Sequence, residues 1–209
     1  MSFENVGLKL KGNSSLRGIS AQSDPATLPW IIRLDRFVDD RTWDGWSEPV
    51  VHANSSETSL NEAIALSLFA ETGLAAEAAV SSSFSVNGGG SALRLIVQNS
   101  NEQWTETNFG EGALLYKSEG DGGEDFGGGQ GGMSRSNVLA ERFRANEEFG
   151  HTIDDAASAL QAELIDSGRA AESLDQRQNT LTGGAVGEVV SADTVRSEAS
   201  QIAEALGIE

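Results

Sequence analysis

Residues Gly120–Gly132 read GDGGEDFGGGQGG. Glycine this dense loses too much backbone entropy to sit inside a helix or strand. Residues 119–135 are therefore expected to form a flexible linker or exposed loop. The stretch splits the chain into two unlike parts. Residues 1–118 read as a β-rich domain with one helix, and residues 136–209 read as a helical region. The expected fold class is α+β: an antiparallel sheet or sandwich with one helix, followed by a helical C-terminal region.

Upstream of the glycines the pattern alternates. Val6, Leu8 and Leu10 are apolar between Lys9 and Lys11, a short strand signature. Trp30–Val38 (WIIRLDRFV) is apolar and β-branched and is set off by Pro29. Pro49–Ala53 is a short strand candidate. Ala79–Val86 and Ala92–Asn99 flank Asn87-Gly88-Gly89-Gly90, a hairpin signal. Only Arg94 interrupts the run Leu93–Val97, so that strand is expected inside the sheet. Gln103–Asn108 alternates Trp104 with Glu106, and Ala113–Lys117 closes the set of strand candidates. One helix interrupts them. Ser59 and Glu62 have capping-box spacing, Ile64, Leu66, Leu68 and Phe69 follow, and Gly73 can end it.

Downstream the period changes. Steps of four and three from Ile153 reach Ala157, Leu160, Leu164, Ser167, Ala171, Leu174, Gln178 and Leu181. Backward steps reach Gly150, Asn146, Phe143 and Leu139. A 3.5-residue repeat makes one narrow apolar seam, the mark of a coiled coil or slim bundle. Asp155, Glu163, Asp166, Arg169, Glu172 and Arg177 occupy the opposite face. Asp154 and Asp155 are placed in the first turn of this long helix, where negative charge favours the dipole. Ser167 and Gly168 mark a break point. Ser191 or Asp193 caps a last helix with Val195, Ala199, Ile202, Ala203 and Leu206 on one stripe, and Gly207 stops it. These helices pack either on their own sheet or against another copy. For the second case the contact residues are Ile153, Leu160, Leu164, Leu174 and Leu181.

The composition narrows the classes of function. The chain has 209 residues, 14 Lys+Arg against 32 Asp+Glu, and a net charge of -18. That charge argues against nucleic acid as a main partner. Zero cysteine excludes disulfides, thiolate metal sites and thiol nucleophiles. Acid is distributed, with eighteen acids to eight bases up to residue 134 and fourteen to six beyond it. The only lysines are Lys9, Lys11 and Lys117. Such a surface repels itself at low ionic strength, and molar salt removes the penalty by shrinking the Debye length to about 3 Å. This points to a salt-saturated cytoplasm. The longest apolar stretches, such as Ala63–Ala70, fall short of the roughly 20 residues of a membrane span. The N-terminal residues lack a basic start followed by an apolar run, so no signal peptide is expected and no membrane partner.

Reactive motifs are weak. His52 and His151 have no triad or ligand partner at motif spacing, and no G-x-S-x-G elbow is present. Asp39-Asp40, Asp121 with Glu124-Asp125, and Asp154-Asp155 supply carboxylates, but without a calcium-loop spacing. The glycine run contains no lysine and is no phosphate cradle. No cofactor or metal is expected. Trp43 and Trp46 fall in Asp39–Trp46, read as an exposed loop bearing two indoles suited to partner contact. The expectation is a non-enzymatic subunit of a large assembly whose partners are copies of itself and other assembly subunits. Its layout resembles virion proteins of tailed viruses, and the salt signature suggests a head, neck or tail component of a virus infecting a halophilic archaeon, assembled in the host cytoplasm. The alternatives are a soluble module binding protein or sugar through the Trp loop, and a hydrolase with a dispersed site at Asp39, Asp40 and His52.

Overall fold

Alternating apolar residues build the first part of the chain into a sheet. The structure, a computed structural model, describes residues 1–12, 19–115, 138–184 and 186–208. The glycine-rich stretch read as a linker lies outside these residues. Strands β1 (Gly7–Leu10), β2 (Trp30–Arg33), β3 (Pro49–Val51), β4 (Ala79–Phe84) and β5 (Ala92–Gln98) pair antiparallel in the order β1-β2-β3-β5-β4. The β4–β5 hairpin closes as the sequence suggests. Asn87 (φ 54) and Gly88 (φ 70) are both left-handed, and the Gly89 N–H donates to the Val86 carbonyl at 3.0 Å. That is a type I′ turn, whose twist matches that of the strands. β5 is paired on both sides, with β3 and β4, and Leu93–Val97 are all buried.

The two faces of β5 have different covers. Leu93, Leu95 and Val97 share one face. Helix α1 (Leu60–Glu71) lies on it, with Ala63 against Leu95 and Val97, and Leu60, Ile64 and Leu68 against Leu93. Helices α5 (Arg169–Thr182) and α6 (Ala192–Leu206) form a further layer. Their Ala170, Leu174, Leu181, Val195 and Ala199 join the same core as Leu60, Ile64, Leu68 and Leu93. The layers are thus sheet, α1, and the α5–α6 pair. The opposite face of β5 presents Arg94, buried at 3% exposure. A single turn of 3-10 helix at Pro25–Thr27 covers it. Arg94 donates to the carbonyls of Ala26 and Leu28 at 3.4 Å and to that of His52. Burial lowers its pKa, and the carbonyl dipoles take the place of water around the charge.

Of the two forms expected, sheet or sandwich, the described residues form an antiparallel sheet, and helices follow it, so the fold class is α+β as read. Several elements depart from the sequence expectation. Gln103–Asn108, read as a strand, lies in helix α2 (Glu102–Phe109). The Asn101 side chain accepts from the Trp104 N–H at 3.0 Å, and this N-cap overrides a two-residue alternation too short to decide the matter. Ala113–Leu115 form no strand either. Ser59 does not make the capping box. It is left-handed (φ 52) and makes no side-chain cap bond, while Glu62 turns to His52 instead. The cap comes from Thr58, whose hydroxyl accepts from the Leu60 N–H at 3.1 Å. Gly73 ends α1 with φ 74, as expected. Ser191 caps α6 by accepting from the Thr194 N–H at 3.0 Å, and Gly207 stops it in the left-handed region.

Glu198 on α6 ties the layers together. Its carboxylate accepts from the Ser56 hydroxyl at 2.7 Å, from the Glu57 N–H at 3.0 Å and from the Thr58 hydroxyl. The loop that starts α1 is therefore clamped by a helix far along the chain.

Candidate assembly interface

The seam read from sequence divides into two halves with different fates. Helix α3 (Val138–Ala145) is followed by α4 (Glu147–Leu160), then by a π-helical turn at Gln161–Asp166. Asn146 separates α3 from α4 and N-caps α4, accepting from the Phe149 N–H at 3.2 Å. The first turn of α4 carries Glu147 and Glu148, where carboxylates meet the positive end of the dipole. Asp154 and Asp155, expected there, lie in mid-helix instead, because the break at Asn146 starts α4 earlier. Gly150 lets the corner close, since a Cβ there would meet the Arg144 carbonyl at 3.2 Å. Across the corner Phe143 stacks on Phe149 at 4.5 Å with the rings 15° apart.

No residue of α4 is buried. Its substantial packing partners among the described residues are α3 and the π-helical turn. Yet it keeps an apolar stripe: Phe149 is 42% exposed and Leu160 37%, with the half-buried Ile153 and the exposed Ala157 between them. Leu164 and Ile165, in the π-helical turn, are the first side chains to reach the body core, against which they pack half-buried. The turn and the left-handed Gly168 (φ 84) then break the run. A single continuous rod through residue 181 is not formed, and the break falls at the Ser167-Gly168 weakness. Beyond it, Leu174 (5% exposed) and Leu181 (2%) serve the chain's own core. Of the five seam residues read as partner contacts, Ile153 and Leu160 sit on the unpartnered arm, Leu164 sits at its root, and Leu174 and Leu181 are withdrawn from the surface.

Trp43 and Trp46 are brought together in a two-residue hairpin. Their backbones exchange both hydrogen bonds, at 3.0 and 2.9 Å, across Asp44 (φ 50) and Gly45 (φ 82). The Asp-Gly pair is a type I′ signal that the sequence reading passed over. The indoles meet edge to face at 5.4 Å and are half-buried, rather than standing free on a loop.

The titratable cluster of greatest interest lies elsewhere, at a junction that spacing does not reveal. His52, just past β3, places Nδ1 2.7 Å from Glu62 Oε1 and Nε2 2.8 Å from Lys11 Nζ. An ammonium only donates, so Nε2 accepts and Nδ1 carries the proton donated to Glu62; the partners assign this tautomer. Burial raises the pKa of Glu62, but the hydrogen bond from His52 and the positive charge of Lys11 outweigh it and hold the carboxyl below its usual range. His52 therefore pairs with Glu62 and Lys11 rather than with Asp39 or Asp40, which stay exposed after β2. The cleft beside it also has Glu77, Gln98, Asn99 and Ser100 on its walls and measures ≈ 200 Å³. That is below the about 300–1,000 Å³ of a small-molecule site. Among the described residues no group of three or more His, Asp or Glu is placed to hold a metal. No described helix is long and apolar enough to cross a membrane.

The described residues thus offer a helical arm with an uncovered apolar stripe, a tryptophan hairpin and a small ion-paired cleft. Comparison with protein-family models, characterised proteins and solved structures gives no match.

Proposed function

We propose that this chain is a non-enzymatic structural subunit of a large assembly, a head, neck or tail component in the particle of a tailed virus infecting a halophilic archaeon. The observation that carries the reading is the arm. An amphipathic helix with no buried residue leaves apolar surface in water, and covering that surface is the driving force of association. Partners of this kind are further copies and other subunits of the particle. The acidic surface supports the salt-saturated setting: most described Asp and Glu residues are exposed, where counterions can reach them. A second reading draws on the Trp43–Trp46 hairpin, a preorganised aromatic tip of the kind binding modules use. Gel filtration coupled to light scattering in molar KCl tests the proposal. A ring or higher oligomer that grows in with protein concentration is the expected result. A monomer at every concentration overturns it in favour of the binding module.

A further inference from the structure

Two cations without a carboxylate partner among the described residues line one groove. The groove runs along β1 and the end of β2 and is lined by Val6, Gly7, Lys9, Arg33, Arg36 and Phe37. Arg33 is ion-paired to Glu48 at 2.6 Å. Lys9 and Arg36 have no carboxylate within ion-pair distance among the described residues. Gly7 keeps Arg36 in place: Arg36 Cβ and Cγ lie 3.0 Å from where a Cβ on residue 7 would stand, so the side chain crosses the strand where the backbone is bare. Beside it Phe37 is 67% exposed, with the Arg36 guanidinium 5.9 Å from its ring centre. Among the described residues the outer edge of β1 is unpaired, because β1 ends the sheet.

The arm is the complement of this groove. Along one side its apolar stripe is bordered by Glu147 and Asp154, both exposed and neither in an ion pair among the described residues. One surface is aromatic and cationic, the other apolar and anionic. α4 packs on α3 and the π-helical turn rather than on β1 or β2. We propose that the arm of one copy docks on the β1 groove of the next, so that the chain assembles head to tail. This rests on the assembly reading and names the contact that reading requires. Phe149, Ile153 and Leu160 cover the exposed Phe37, while Glu147 and Asp154 meet Lys9 and Arg36. A head-to-tail contact uses two different patches, so it closes into a ring when its rotation divides a full turn and otherwise runs on as a filament.

Two variants that each destroy one patch give the test. The groove variant carries Lys9→Glu and Arg36→Glu, and the arm variant carries Phe149→Glu and Leu160→Glu. All four side chains are exposed, and an unchanged circular dichroism spectrum checks that each variant folds. Light scattering in molar KCl is expected to show each variant alone as a monomer, with self-association weakened at least tenfold. Mixed one to one they are expected to form dimers and nothing larger, because one intact patch remains on each. A groove variant that still assembles alone overturns the proposal and points to pairing of arm with arm. Assembly by both variants, or a mixture that stays monomeric, also overturns it while leaving the assembly reading standing. A wild-type chain that is monomeric overturns both.

Discussion

At the scale of single residues, His52 shows how a chain with few bases spends one of them. Its imidazole bridges a strand end to α1 through Glu62 and to the residue after β1 through Lys11. The carboxyl of Glu62 is held below its usual range, so it contributes stability above the unfolded carboxylate pKa and loses it as pH falls through the folded value. Glu62→Gln is therefore expected to flatten the acid limb of the stability curve. At neutral pH the cost should be only about 1 kcal/mol, since the side chain is 31% exposed and solvent screens it. Urea titrations from pH 7 down to about pH 2, across the unfolded carboxylate pKa and below it, would measure both. An equally steep acid limb in wild type and variant would mean that the pair adds no pH-dependent stability. Residues of this kind were the least legible in sequence. Lys11, His52 and Glu62 come from three different elements, and Glu198 reaches Thr58 from 140 residues away. No spacing rule joins them, because the sheet order and not the chain order makes them neighbours.

At the scale of elements, the two halves of the seam give opposite predictions. Leu174→Ala opens a cavity under α5 and is expected to cost about 2–5 kcal/mol of folding stability. Leu160→Ala touches a side chain already 37% exposed and should leave the unfolding midpoint within about 0.5 kcal/mol of wild type. It should instead weaken self-association in light scattering. Equal stability losses at both sites would show that the arm is folded onto the body. Periodicity marked one long helical run here, because a 3.5-residue repeat survives in the letters. What it could not state was the phase across the π-helical turn and Gly168, where a local break sends one half inward and leaves the other uncovered. The strand β5 was legible for the converse reason: a run of buried aliphatics ended by a glycine turn leaves little choice. Helix α2 was not, since eight residues with an Asn cap and one buried Trp carry no usable period.

At the scale of the whole molecule, the balance of charge and core sets the working conditions. Arg94 is the one charged residue buried among the described residues, while most described Asp and Glu are exposed. A net charge of -18 spread over that exterior repels itself unless counterions are dense. Transfer from molar KCl to dilute buffer is expected to cost on the order of 2 kcal/mol, lowering Tm by roughly 4–8 °C for a chain of this size. Calorimetry in both buffers would decide it, and an unchanged Tm would remove the argument for a saline cytoplasm.

The clamp at Glu198 also sets a timetable. A ribosome delivers Ser56, Glu57 and Thr58 long before it delivers the carboxylate that holds them. At about 5–20 residues per second, the 140 residues between Thr58 and Glu198 take on the order of ten seconds to translate. For that interval the pleated half waits half-dressed, its covering helix α1 lacking the outer pair that will press on it. The late-emerging α6 works as a latch, and a nascent chain stalled before it would be open to any protease or chaperone that samples unfinished clients.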